Sequence, residues 1–131
     1  MENLDIVKED NYILIKATDV SPEVLIEFKD NKISFKGYSL MSNSSRFYIN
    51  LYEIINKTIQ EKSFSSLTLI YNFTYINSQS LKQIISFFYY IESLNIPVEI
   101  NWYYSDEENA ELGIQLREII EVPFKLFYLS Q

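Results

Sequence analysis

The sequence contains neither cysteine nor histidine. The absence of thiols and imidazoles excludes disulfides, cysteine nucleophiles, histidine bases and the commonest zinc ligands. Most enzyme mechanisms are excluded with them, so we expect a protein that is not an enzyme and holds no cofactor. Glycine and proline are also scarce, at two and three residues, which leaves little room for flexible linkers.

Positive charge and long apolar runs are scarce as well. Eleven Lys and Arg residues face eighteen Asp and Glu residues, and the net charge of −7 opposes both a nucleic-acid backbone and an anionic membrane surface. Residues Met1 to Asp10 lack the basic and apolar regions of an export signal, and no apolar run approaches the ~18 residues of a membrane span. We therefore expect a cytoplasmic protein that binds neither nucleic acid nor a membrane.

The length and the apolar content indicate one domain covering residues 1–131, because 47% apolar residues can build a real core. Tyr12 to Ala17 is prone to form a strand. Val24 to Phe28 and Ile33 to Phe35 alternate on either side of a polar turn, which predicts a β-hairpin.

Helical and extended patterns then alternate. Apolar spacing predicts a helix from Phe47 to near Lys62, a strand over Leu67 to Phe73, and a second helix that runs from the polar residues 77–80 to Asn95. The middle of that helix is apolar nearly all round, so both sides are buried or one side meets a partner.

The last third continues the alternation. Val98 to Tyr104 reads as a strand, and Ser105 with Glu108 forms a capping box that opens a third helix. Its predicted buried stripe is Leu112, Leu116, Ile119 and Ile120. A final strand covers Phe124 to Leu129. Strands separated by single helices imply parallel neighbours, so the fold class is α/β, a mixed sheet with an N-terminal antiparallel hairpin and about three packed helices.

The junction between the central strand and the second helix carries small polar side chains. Asn77 and Ser78 are residue types that cap helix N-termini. Free N–H groups and the helix dipole would favour a phosphoryl group there. The plainer interpretation is that Ser78 and Ser80 are only helix caps.

Short pieces in a fixed order along nearly the whole chain resemble the SiaC family of bacterial regulatory phosphoproteins, which is similar in fold to STAS-type anti-sigma-factor antagonists. The pieces are Ser21-Pro22-Glu23-Val24, Lys36-Gly37-Tyr38-Ser39, Asn43-Ser44 with Phe47-Tyr48, Asn77-Ser78-Gln79-Ser80-Leu81-Lys82, Asn101-Trp102-Tyr103-Tyr104 and Val122-Pro123-Phe124-Lys125.

The resemblance implies a site. The family's loop usually reads N-T-S-S-x-K, and its threonine is phosphorylated by a dedicated kinase and released by a metal-dependent phosphatase. Asn77 matches the asparagine, Ser78 the phosphoacceptor, Gln79 and Ser80 the following pair, and Lys82 the lysine. The resemblance also implies partner switching and, in some members, activation of a diguanylate cyclase by the unmodified form.

The chain departs from the family at three places, where Gln79 replaces a hydroxyl residue, Met41-Ser42 replaces Pro-Glu, and the acidic stretch from Asp106 to Glu111 is short. A diverged member that is never phosphorylated is one alternative. Two others are a hydrolase built on paired carboxylates and a small-molecule-binding module whose 21 aromatic residues line a pocket. The acidic run could also bind Mg²⁺.

Overall fold

The computed structural model describes residues 4–130, which form one seven-stranded sheet and three helices. The strands lie in the sheet in the order in which they occur along the chain. They are β1 (Ile6–Lys8), β2 (Tyr12–Ile15), β3 (Glu23–Glu27), β4 (Lys32–Ser39), β5 (Leu67–Ile76), β6 (Val98–Tyr104) and β7 (Phe124–Tyr128), and the helices are α1 (Ser44–Glu61), α2 (Ser78–Glu92) and α3 (Glu107–Ile119).

The sheet is mixed, as predicted. β1 to β4 pair antiparallel, and β4 to β7 pair parallel through the three helical crossovers. The predicted hairpin is β3 and β4. β1 was not predicted, since three residues are too few to show an alternating pattern. β4 also extends to Ser39, beyond the predicted strand of Ile33 to Phe35.

The two faces of the sheet differ sharply in burial. Across the inner face, the register aligns Phe35, Tyr71 and Trp102, and all three are buried. Leu25 and Ile70 belong to the opposite face and are partly exposed. Rings from α2 pack on the inner face, where Phe88 contacts Tyr71 edge-to-face. The protein therefore has two layers, with an open sheet face on one side.

The apolar middle of α2 is largely buried within the domain. Phe87, Phe88 and Ile91 are buried, whereas Tyr89 is 55% exposed and Tyr90 is partly exposed. Packing against both the sheet and α1 therefore explains most of the pattern. The helix ends at Glu92, one turn before the predicted end.

Two predictions about α3 were wrong. Asp106, not Ser105, is the N-cap, and its Oδ1 accepts from the Asn109 backbone N–H at 2.8 Å. In the predicted stripe, Leu116 and Ile120 are buried and Leu112 is partly buried, but Ile119 is 42% exposed, and the face that packs on the sheet also carries Asn109 and Gly113. A side chain could not fit at Gly113, because a Cβ there would lie 2.6 Å from Trp102 Cδ1. The bulk of the indole therefore selects small and polar residues on this face.

Candidate functional site

The polar junction predicted after the central strand lies at the carboxyl edge of the parallel strands. β5 ends at Ile76, and α2 begins at Ser78 with Asn77 as its N-cap. Open α/β sheets bind their ligands and partners at this edge, because the loops that follow adjacent parallel strands meet there.

Asn77 ties three segments together. Its side-chain Oδ1 accepts from the Ser80 backbone N–H at 2.9 Å, which is the cap expected from the sequence. Its Nδ2 donates to the Met41 carbonyl at 3.1 Å, and its backbone N–H donates to the Ser39 carbonyl at 2.9 Å. The start of α2 is thus fixed against the end of β4 and the loop that leads into α1.

The two serines of this turn have opposite environments. Ser78 is the first residue of α2 and is exposed, as are Gln79 and Lys82. Ser80 is fully buried. Its Oγ accepts from Ser39 Oγ at 2.7 Å and donates to the Ser39 carbonyl at 3.3 Å. The hydroxyl of Ser80 is therefore buried and hydrogen-bonded, whereas Ser78 is exposed to solvent.

A third hydroxyl completes this buried network. Tyr48 Oη lies 2.6 Å from Ser39 Oγ, which links α1 to β4 and, through Ser80, to α2. Burial raises the pKa of Tyr48 to about 12, partly offset by hydrogen bonds with Ser39 and Ser80. Sequence reasoning missed the roles of Ser39 and Tyr48. Nothing local could have revealed them, since Ser39 and Ser80 are 41 residues apart.

An acidic cleft of about 330 Å³ lies beside Ser78. The acidic residues Asp106, Glu108 and Glu111 at the start of α3 line it together with Ser78. Asn109 anchors this helix start, because its Nδ2 donates to the Phe73 carbonyl at 3.2 Å. Within residues 4–130, no three carboxylates are grouped so that they could hold a metal ion.

Lys82 is one helical turn after Ser78 on the same side of α2. Over the described residues, the ion pairs within 4.0 Å are Lys57–Glu61 and Lys125–Glu99, so Lys82 has no ion-pair partner there. Its ammonium group is therefore available to a new negative charge.

Aromatic rings of the core pack against one another. Phe35 stacks on Tyr71 with centroids 4.5 Å apart, and Trp102 contacts both Phe73 and Phe124. These rings therefore contact one another in the core. The aromatic groove on the surface, between α1 and α2, is lined by Tyr52, Phe87 and Tyr90 among others and has a volume of about 410 Å³.

Fold and site together define a class: a small α/β domain that presents an accessible serine at a helix N-terminus on the carboxyl edge of its sheet. A family model described as "SiaC family regulatory phosphoprotein" matches residues 15–129. The chain belongs to the SiaC family of regulatory phosphoproteins. A search of curated proteins found no match.

Solved structures show the same fold. Apo-SiaC from Pseudomonas aeruginosa is 21% identical, with a TM-score of 0.77 over 88% of this chain and 98% of that one. SiaC in complex with the diguanylate cyclase SiaD, which it activates, is 21% identical, with a TM-score of 0.78 over the same shares of the two chains. A further structure of SiaC from that organism gives 20% identity and a TM-score of 0.78, covering 90% of this chain and 98% of that chain. In the described part of this chain, no helix is long and apolar enough to cross a membrane.

Proposed function

We propose that this protein is a non-catalytic switch of a partner-switching system, set by reversible phosphorylation of Ser78. One observation carries the proposal: Ser78 is exposed at the first position of α2, whereas Ser80, two residues on, is fully buried and hydrogen-bonded. A kinase needs an accessible hydroxyl, so the geometry favours Ser78 over Ser80 as the phosphoacceptor. Its neighbours are Asn77, the N-cap, and Gln79, Ser80 and Lys82 in the first turns of α2, so the predicted loop is helical.

The helix end supports the modified state. The first N–H groups of a helix have no intrahelical acceptor, and they carry the positive end of the dipole. The Asn77 side chain already accepts a hydrogen bond from the Ser80 N–H. The N–H groups of Ser78 and Gln79 therefore remain for a phosphate. Lys82 can pair with the same phosphate from one turn further along α2.

The acidic cleft determines what phosphorylation changes. A phosphoserine adds roughly −1.5 to −2 charges and three acceptor oxygens. Those charges would join Asp106, Glu108 and Glu111, which line the same cleft, and would make the cleft more strongly negative. A partner that docks an apolar surface here would have to desolvate the phosphate, one with an acidic surface would be repelled, and one with arginines would be attracted. A single modification thereby exchanges partners.

The partners that this proposal implies are a serine/threonine kinase, a metal-dependent phosphatase and a target that the unmodified form binds. The family and the described complex of SiaC with the cyclase SiaD support a diguanylate cyclase as the target. The alternative of a small-molecule-binding module is less well supported, because the aromatic side chains fill the core.

The first test is mass spectrometry on protein purified from its native host, with and without serine/threonine phosphatase treatment. We expect a phosphatase-sensitive phosphate on Ser78 and none on Ser80. The Ser78→Ala variant should lose the phosphate while its folding stability is unchanged, since the hydroxyl is exposed. Protein that stays unmodified in several growth conditions and with its cognate kinase would rule out the switch.

The second test measures the target. Each diguanylate cyclase of the host is assayed for cyclic di-GMP synthesis with the wild type, Ser78→Ala and Ser78→Asp. We expect stimulation by the wild type and by Ser78→Ala, and little stimulation by Ser78→Asp, with Gln79→Asp as a charge-matched control at the neighbouring exposed position. Equal stimulation by Ser78→Ala and Ser78→Asp would show that charge at this position does not control the target.

A further inference from the structure

The two edges of the sheet are protected to different degrees. β1 at one edge has three residues and is followed by Glu9 and Asp10, which are exposed and charged. β7 at the other edge has five residues and a single charge, on Lys125. Within residues 4–130, no strand pairs with the outer side of β7. Natural proteins avoid long apolar edges because such edges pair with other chains.

The ladder to β6 shows which backbone groups of β7 are free. Ile100 N–H donates to the Pro123 carbonyl, and Leu129 N–H donates to the Tyr104 carbonyl, both at 2.8 Å. Parallel ladders use alternate residues. The N–H and C=O groups of three residues of β7 therefore point outward, and these residues are Phe124, Leu126 and Tyr128.

The sequence of β7 is self-complementary about Leu126. An antiparallel pair of two copies centred there sets Leu126 against Leu126, Phe124 against Tyr128, and Lys125 against Phe127. These contacts are apolar, aromatic and cation–π in character. A register centred on Lys125 would instead place two like charges opposite each other, which is unfavourable. The strand can therefore pair with a second copy of itself in a symmetric register that keeps the two lysines apart.

The strand itself carries exposed aromatic side chains. Tyr128 is 65% exposed and Phe127 is 37% exposed. A two-fold axis perpendicular to the sheet at Leu126 places Tyr128 of each copy opposite Phe124 of the other, and Phe127 of each copy opposite Lys125 of the other.

We propose that the β7 edge is the interface of a homodimer in which two sheets join antiparallel through β7. The dimer is an isologous assembly, since the same patch serves both copies. Antiparallel pairing places the carboxyl edges of the two sheets at opposite ends. Each Ser78 loop thus stays accessible, and dimerisation does not depend on the phosphorylation state of Ser78.

The test is the solution mass of the full chain, measured by light scattering over a dilution series. We expect a dimer for the wild type and a monomer for Tyr128→Lys at concentrations where the wild type is dimeric. Tyr89→Lys makes the same change at a position that is equally open, at 55% exposure on α2, and it should remain dimeric. Circular dichroism checks that each variant is folded.

A second measurement covers the case in which Tyr128→Lys does not fold. Because the chain has no cysteine, Leu126→Cys introduces a single thiol that meets its own copy at the two-fold axis. Mild oxidation should yield a covalent dimer from Leu126→Cys and none from Tyr89→Cys. A wild type that is monomeric at every concentration, or a dimer that persists in Tyr128→Lys, would overturn the proposal, whatever happens at Ser78.

Discussion

Two tyrosines in the core make a matched pair for testing how the buried hydroxyls act. Tyr48 and Tyr71 are both fully buried. Tyr48 Oη is hydrogen-bonded to Ser39 Oγ at 2.6 Å, whereas Tyr71 Oη has no hydrogen-bond partner among the described residues. Replacing either by phenylalanine removes one oxygen and leaves the ring. The two substitutions should nevertheless change stability in opposite directions.

The magnitudes follow from the hydrogen bonds. Ser39 Oγ donates to Ser80 Oγ, so it accepts the proton of Tyr48, and Tyr48→Phe removes that bond at a cost of about 1 kcal/mol. A buried hydroxyl without a partner destabilises the folded state by roughly 1–3 kcal/mol. Tyr71→Phe removes that penalty, so we expect a gain of about 1 kcal/mol, the lower end of that range.

Urea unfolding is the assay. Slopes for small domains are ~1–3 kcal/mol per M, so a difference of about 2 kcal/mol between the two variants separates their midpoints by roughly 1 M. The slope itself should be unchanged, because neither substitution alters the surface exposed on unfolding. If Tyr71→Phe lost as much stability as Tyr48→Phe, the Tyr71 hydroxyl would have a partner and this reasoning would be refuted.

Three further predictions concern pH, packing and capping. Because burial raises the pKa of Tyr48 from 10.0 to about 12, the unfolded chain releases this proton first, and the free energy of unfolding should fall as the pH rises from 10 to 12. The urea midpoint should fall less steeply with pH in Tyr48→Phe than in the wild type. An equal fall in the two proteins would contradict the assignment of the raised pKa to Tyr48. Gly113→Ala should destabilise the protein by about 1–3 kcal/mol, because the new Cβ would overlap the Trp102 ring, and an unchanged melting temperature would argue against this close packing. Asn77→Ala should cost about 1–2 kcal/mol, since it removes the α2 cap and the bond to Met41. Asn43→Ala is the control, because Asn43 is the N-cap residue of α1 and makes no capping hydrogen bond; an equal loss in both variants would show that the cap is not the cause.

Short-range patterns were sufficient for most of the fold. Alternation and helical spacing located the hairpin, the parallel strands and all three helices. Each element buries one face, and the apolar residues of that face recur at a regular spacing in the local sequence. Asn77 was correctly predicted as a cap residue for the same reason. The prediction of Ser105 as the N-cap of α3 was wrong. Asp106 has an equally suitable side chain one residue later, and the local sequence does not show which of the two residues caps the helix.

Features that depend on contacts between distant segments were not predictable. Ile119 fits a helical stripe, yet α3 turns Gly113 and Asn109 toward the sheet because Trp102 occupies the space there. Similarly, Ser39 lies beyond the predicted strand of Ile33 to Phe35, although it ends β4 and is hydrogen-bonded to both Tyr48 and Ser80.

The sequence by itself determined the order of the elements, the mixed sheet and the position of the polar turn at Asn77 and Ser78, because these depend on residues close together in the chain. Only the tertiary structure decided which serine of that turn is accessible. Ser78 and Ser80 are the same residue type in the same helical turn, and one is buried because β4 and α1 bring Ser39 and Tyr48 to it. Burial is a property of segments that meet in space, and local sequence does not encode which segments meet.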